Sequence, residues 1–125
     1  ALEDVYSNSA IGEAALEIRS ARAQLLYNAQ EMYDVALRGE EIPLAMRAQS
    51  RRDQVRVAWR AVAAADAIFA RCGGNAIRLD NPLQRFWRSA HAGLQHAIFV
   101  GGPIYNAYTQ VAVGKPLEGP AAMAF

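Results

Sequence analysis

The chain has 125 residues, 13 Lys and Arg against 12 Asp and Glu for a net charge of +1, and one cysteine. A single thiol excludes a disulfide framework and a multi-thiolate metal site. A pI of 8.2 falls short of a nucleic-acid-binding footprint, and Asp66 interrupts the longest apolar run before it reaches the roughly 18 residues of a membrane span. No nucleic acid and no membrane are therefore expected as partners. Ala supplies 26 of the residues, which favours helix and close helix packing over a thick core. The start, Ala-Leu-Glu-Asp, shows no leader pattern, so a cytoplasmic location is expected. It also lacks an initiator Met, which reads either as trimming or as part of a longer chain.

The net charge conceals a gradient. Residues 1–41 carry a net −5, residues 42–90 a net +6, and the remainder zero. Segments of opposite sign satisfy each other when they pack as antiparallel helices.

Four helices are predicted, making an all-α, up-down antiparallel four-helix bundle over a single unit, residues 1–125. The first spans about 10–37, with Asn8 or Ser9 as N-cap and Gly39 beyond its end. Ile11, Ile18, Leu25 and Met32 recur every seven residues, flanked by Ala14, Ala21 and Val35, and predict a buried stripe. The second spans 43–72, opening on Pro43 as first helical residue and stopping at Gly73-Gly74. Its inner row is Ala48, Val55, Val62 and Phe69, with Ala58, Ala65 and Cys72 alongside, so Cys72 reads as a small apolar residue. Arg52, Arg56 and Arg60 form one row, read first as a solvated or inter-helix salt-bridging face and second as a subunit interface. Each of these helices would be roughly 40 Å long, and the short link 39–42 folds them into a hairpin.

The third helix is predicted over 82–100, capped by Asp80-Asn81 with Pro82 in its first turn, and stopped by Gly101-Gly102. Steps of 100° place Leu83, Trp87, Ala90, Leu94, Ala97 and Ile98 on an apolar face. Arg85, Ser89, Ala92, His96 and Phe99 fall opposite, a face suited to a ligand or another subunit. A fourth helix is predicted over 103–113, followed by an aperiodic tail, 115–125.

His91 and His96 differ by about 140° around such a helix, so they cannot ligate one metal as an i,i+4 pair would; no metal site is expected. His91 sits at the rim of the apolar stripe near Trp87 and reads first as a packing histidine, second as a candidate catalytic imidazole. His96 lies off that stripe, where an imidazole can exchange a proton with a phenol. No carboxylate is placed by sequence to orient either ring, and Ser89 has no base one turn away, which disfavours a hydrolytic triad. Gly73-Gly74 reads as a helix stop whose backbone could also approach a phosphate.

The stretch Cys72-Gly73-Gly74-Asn75-Ala76-Ile77-Arg78-Leu79-Asp80-Asn81-Pro82-Leu83-Gln84-Arg85-Phe86-Trp87-Arg88 resembles the C-terminal helical domain of the acyl-CoA dehydrogenase superfamily. From Pro82 to His96 it is most similar to the flavin-dependent aromatic and polycyclic monooxygenase branch. That resemblance implies an oxygenase component using reduced flavin, FMN or FAD, supplied by a separate flavin reductase. It implies a homo-oligomer, a tetramer, and an aromatic or polycyclic small-molecule substrate. His96 would hold or deprotonate the substrate hydroxyl, and Gly73 and Gly74 would approach the flavin of a neighbouring subunit. Four positions depart from the family pattern. Ser89 stands in place of an Asp, and Ala70 in place of the Gln that precedes the glycine pair. Ala97-Ile98 stand where the dehydrogenase branch carries its catalytic Glu and a Gly. Two rival expectations are an acyl-CoA dehydrogenase with its base elsewhere and a stand-alone helical oligomerisation module.

Overall fold

The computed structural model describes residues 4–125; residues 1–3 of the expected unit lie outside the described residues. Four α-helices follow in order: α1 Val5–Leu37, α2 Leu44–Phe69, α3 Pro82–Leu94 and α4 Gly101–Ala112. Short 3-10 turns occupy Gly74–Ile77, Ala97–Phe99 and Gly119–Met123, and the described residues contain no strand. The all-α, up-down class is as expected. α2 is its hub: α1, α3 and α4 all pack against it.

α1 begins five residues earlier than predicted. The Asp4 carboxylate accepts from the amides of Tyr6 at 3.1 Å and Ser7 at 3.3 Å, satisfying two orphan donors of the first turn, so the cap is Asp4 and not Asn8 or Ser9. The far end closes as expected on Gly39, whose φ of +71° lets its amide reach the Ala36 carbonyl and that of Glu40 the Val35 carbonyl.

The inner stripe of α1 is also shifted. Ala14, Ala21, Asn28 and Val35 are buried, whereas Ile11 and Ile18 remain 50% and 47% exposed. Small residues face α2 because they allow close approach, which leaves the larger side chains on a flank that no other described helix covers. On α2 the predicted row holds for Ala48, Val55 and Val62. Pro43 caps the helix from outside it, its carbonyl accepting from Arg47 at 3.1 Å. The regular part of α2 ends at Phe69, and residues 70–72 tighten into a turn.

The α1–α2 seam encloses a polar pair. Asn28, 5% exposed, donates at 2.9 Å to Asp53, 4% exposed, which also receives Arg52 at 2.7 Å. Farther along, Arg60 meets Glu17 at 2.6 Å, the opposite-charge contact expected between the acidic and basic segments.

α3 opens as predicted, with the Asn81 side chain accepting from Leu83 N at 2.9 Å and Pro82 in its first turn. It stops at Leu94 and not at Val100. The last amides turn to i−3 acceptors, Gln95 to Ala92 and His96 to Gly93, and His96 adopts extended backbone with ψ 135°. Gly93 weakens the final turn, and the chain beyond finds other partners on α2. α4 then begins at Gly101, so the glycine pair opens this helix and does not merely end the previous one. A Cβ on Gly101 would lie 2.7 Å from the Tyr105 ring. Pro103 is tolerated there because a first-turn amide needs no helical partner.

Candidate functional site

α2 and α3 run antiparallel and build a polar cluster from three residues. Asp66 Oδ1 accepts from Trp87 Nε1 at 2.6 Å and lies 2.7 Å from His91 Nε2. The Trp87 ring stacks on Phe69 at 4.9 Å and meets His91 at 4.5 Å. His91 is therefore near Trp87 as expected, but a carboxylate does orient it, from 25 positions upstream. The signal in the sequence was Asp66 itself, an acid inside an apolar run. A proton on Nε2 satisfies Asp66 and leaves Nδ1 with the lone pair.

Burial alone would raise the Asp66 pKa. Hydrogen bonds from His91 and Trp87 outweigh burial and hold the carboxyl below its ordinary value. A depressed native pKa means the unfolded chain takes up the proton first, so the cluster stabilises above the ordinary carboxylate pKa and fades as pH falls through the native value. Thermal melts of the native protein and Asp66→Asn should accordingly converge below about pH 4. Curves that stay parallel as the pH falls well below about 4 would contradict the assignment.

His96 does not lie on α3. It begins the 3-10 turn Ala97–Phe99, and its Nδ1 accepts from Ile98 N at 3.1 Å. The helical projection that set His96 and Phe99 on one face with Arg85 and Ser89 therefore fails: Arg85 and Ser89 are on α3, while His96 and Phe99 are past its end. Ala97 and Ile98 likewise leave the expected apolar face. His96 is exposed and available to a ligand.

Gly73 has φ +65° and ψ −172°, a conformation that glycine adopts without strain. A Cβ at Gly73 or Gly74 would meet nothing within 4 Å, so this backbone lies open on the surface. Asn81 Nδ2 ties the loop to the start of α3 through the Asn75 carbonyl at 3.0 Å. The glycine loop and the His96 turn thus sit at opposite ends of α3, about 20 Å of helix apart. One copy of the chain does not bring them into a single site. Between them lies an apolar hollow of about 300 Å³ lined by Ile68, Phe69, Cys72, Leu83, Phe86 and Trp87. Cys72 is half-buried there, its thiol donating to the Ile68 carbonyl, in keeping with its reading as a packing residue.

The Arg row faces α4 and α1. Arg52 lies 4.2 Å from the centre of the Tyr108 ring and pairs with Asp53, while Arg60 pairs with Glu17. Arg60 therefore makes the inter-helix salt bridge expected of the row, whereas Arg52 pairs within α2 and lies against Tyr108 of α4.

A central helix carrying its neighbours, with a glycine-pair loop and a histidine turn at the two ends of α3, defines an all-α helical-bundle domain. The chain belongs to the family described as acyl-CoA dehydrogenase, C-terminal domain, which it matches over residues 1–100. It is 48% identical over 118 residues to a pigment production hydroxylase of Rhodococcus erythropolis, covering 94% of this chain and 30% of that protein. It is 43% identical over 97 residues to the flavin-dependent monooxygenase oxygenase subunit HsaA of Mycobacterium tuberculosis, covering 78% of this chain and 25% of the relative. The crystal structure of 3-HSA hydroxylase from Rhodococcus sp. RHA1 superposes with a TM-score of 0.89 at 37% identity, covering 94% of this chain and 30% of that one. The chain thus spans less than a third of the length of these relatives.

Proposed function

We propose that the full-length protein carrying this chain is the oxygenase component of a two-component, flavin-dependent monooxygenase that hydroxylates a phenolic or polycyclic substrate. The observation that carries this reading is the turn after α3. It offers an exposed imidazole at His96 and, at Ala97-Ile98, no carboxylate. Reduced flavin, FMN or FAD from a separate reductase, supplies the activation of dioxygen when bound. The open backbone of Gly73 and Gly74 fits a flavin approaching from a neighbouring copy, with Ala70 adding no side-chain donor. His96 holds the substrate hydroxyl, and His91, oriented by Asp66, is the second candidate imidazole.

The uncovered flank of α1, with Ile11, Ile18, Leu26 and Tyr33 exposed, supports assembly as a homo-oligomer, read as a tetramer, because exposed apolar stripes of this length mark association surfaces. A cytoplasmic location is part of the same proposal.

The test gives the full-length enzyme reduced flavin, oxygen and a panel of phenol, 2-naphthol and estradiol. In parallel it receives butyryl-CoA with an artificial electron acceptor. Hydroxylated phenol is the expected product. Oxidation of the thioester with no phenol hydroxylated would replace this reading with the dehydrogenase one.

A further inference from the structure

The backbone of the His96 turn divides its hydrogen bonds in an informative way. The turn's own amides use the carbonyls of His96 and Ala97, through Phe99 N at 2.9 Å and Val100 N at 3.1 Å. The next two carbonyls are taken by α2. Arg51 donates from its guanidinium to the Ile98 carbonyl, and Trp59 donates from Nε1 to the Phe99 carbonyl at 3.0 Å. Arg51 and Trp59 stand eight residues apart, about 12 Å along α2, yet their acceptors belong to adjacent residues. The two side chains therefore converge on one point of the chain.

Arg51 is partly desolvated to make this contact, which lowers its pKa, and its acceptor is a neutral carbonyl instead of a carboxylate. A solvent-facing arginine would avoid that cost. Trp59 keeps a large part of its ring exposed, so core burial does not account for its position.

The turn also fixes the polarity of His96. A neutral imidazole has one N–H. With the Ile98 amide donating to Nδ1, the proton resides on Nε2, and the outward nitrogen is a donor. For Nε2 to accept a hydrogen bond from a phenol, Nδ1 would have to carry the ring proton and the Ile98 bond would be lost.

We propose that Arg51 and Trp59 are positioning residues that clamp the turn beginning at His96, so that His96 meets a substrate oxygen as an Nε2–H donor and not as a base. This rests on the monooxygenase reading for its substrate, while the clamp itself stands on the backbone geometry.

The experiment uses the full-length enzyme with Trp59→Phe, which removes only the indole N–H, and Arg51→Met, which keeps the aliphatic bulk. Hydrogen–deuterium exchange of the amides of residues 98–100 should accelerate roughly fivefold in each variant, the effect of one lost hydrogen bond, with α1 unchanged. Unaltered exchange at 98–100 overturns the clamp. With 2-naphthol, or whichever panel phenol is hydroxylated, the fraction of consumed oxygen recovered as product should fall severalfold in both variants while flavin oxidation continues. A purely structural defect would lower both together. In a His96→Ala background the same substitutions should cost nothing further; additive losses overturn positioning through His96. His96→Gln, which carries an amide N–H near the Nε2 position, should retain more coupling than His96→Ala. Equal loss in the two overturns the donor polarity. If no phenol is hydroxylated by the unmodified enzyme, the functional reading and the substrate-donor role fall together, and the exchange result still decides the clamp.

Discussion

Replacing His96 with Ala in the full-length enzyme is expected to lower phenol hydroxylation roughly 10- to 100-fold, the range for losing one hydrogen bond to a group that carries charge. Flavin binding should change little, because Gly73 and Gly74 lie at the other end of α3 from His96. Steady-state oxygen consumption and product formation measured together separate the two effects. The variant should still oxidise reduced flavin, with the oxygen diverted from the substrate. Turnover equal to that of the unmodified enzyme would remove His96 from the mechanism and shift attention to His91. His91 differs in kind: its Nε2 is turned toward Asp66 at 2.7 Å, and it sits within a half-buried aromatic cluster. His96 stands exposed on a turn.

The largest expected effect on stability comes from Asp53→Ala. Asp53 is almost fully buried between α1 and α2, accepting from Asn28 and from Arg52. Removing it leaves a buried amide unpaired and a half-buried guanidinium without its counter-charge, a loss of about 3–5 kcal/mol. That is a large share of the 5–15 kcal/mol typical of a whole domain, so the unfolding midpoint in urea should drop clearly. Asn28→Ala should cost less, about 1–3 kcal/mol, because Asp53 keeps Arg52. Replacing Asn28 and Asp53 with Leu together with Arg52→Met should recover most of the loss if desolvation is the cause. An Asp53→Ala variant within 1 kcal/mol of the native protein would show that water replaces the missing partners.

Both predictions depend on contacts between residues far apart in the chain, and this marks the limit of what the sequence carries. The number of helices, their antiparallel order and the class of fold were legible because seven-residue recurrence, Ala content and capping residues are local properties. So were Asn81 as cap to α3 and Gly39 as terminator of α1. The glycine-pair loop and the run from Pro82 to Arg88 were enough for the resemblance that family membership later bore out.

The end of α3 was misread for a physical reason. A 100° projection assumes that helix continues, and the residues from Gln95 to Val100 have no proline to forbid it. What ends the helix is competition: the carbonyls of Ile98 and Phe99 find donors in Arg51 and Trp59 on another helix, and the His96 ring offers its own acceptor to the Ile98 amide. No local pattern encodes that outcome. The inner stripe of α1 failed for a related reason. Ile11 and Ala14 lie on neighbouring rows of one broad apolar face, and hydrophobicity alone favours the larger residue. Close approach to α2 selects the smaller one.

By itself, then, the sequence determined an Ala-rich helical domain, the order of its helices, and the family to which it belongs, because helix propensity and capping act over a few neighbouring residues. Tertiary structure alone decided which imidazole is held by a carboxylate and which begins a clamped turn, and where the buried Asn28–Asp53 pair sits. Those features are hydrogen bonds across 25 to 47 positions of chain, and only the packing of α1, α3 and the His96 turn against α2 brings their partners within reach.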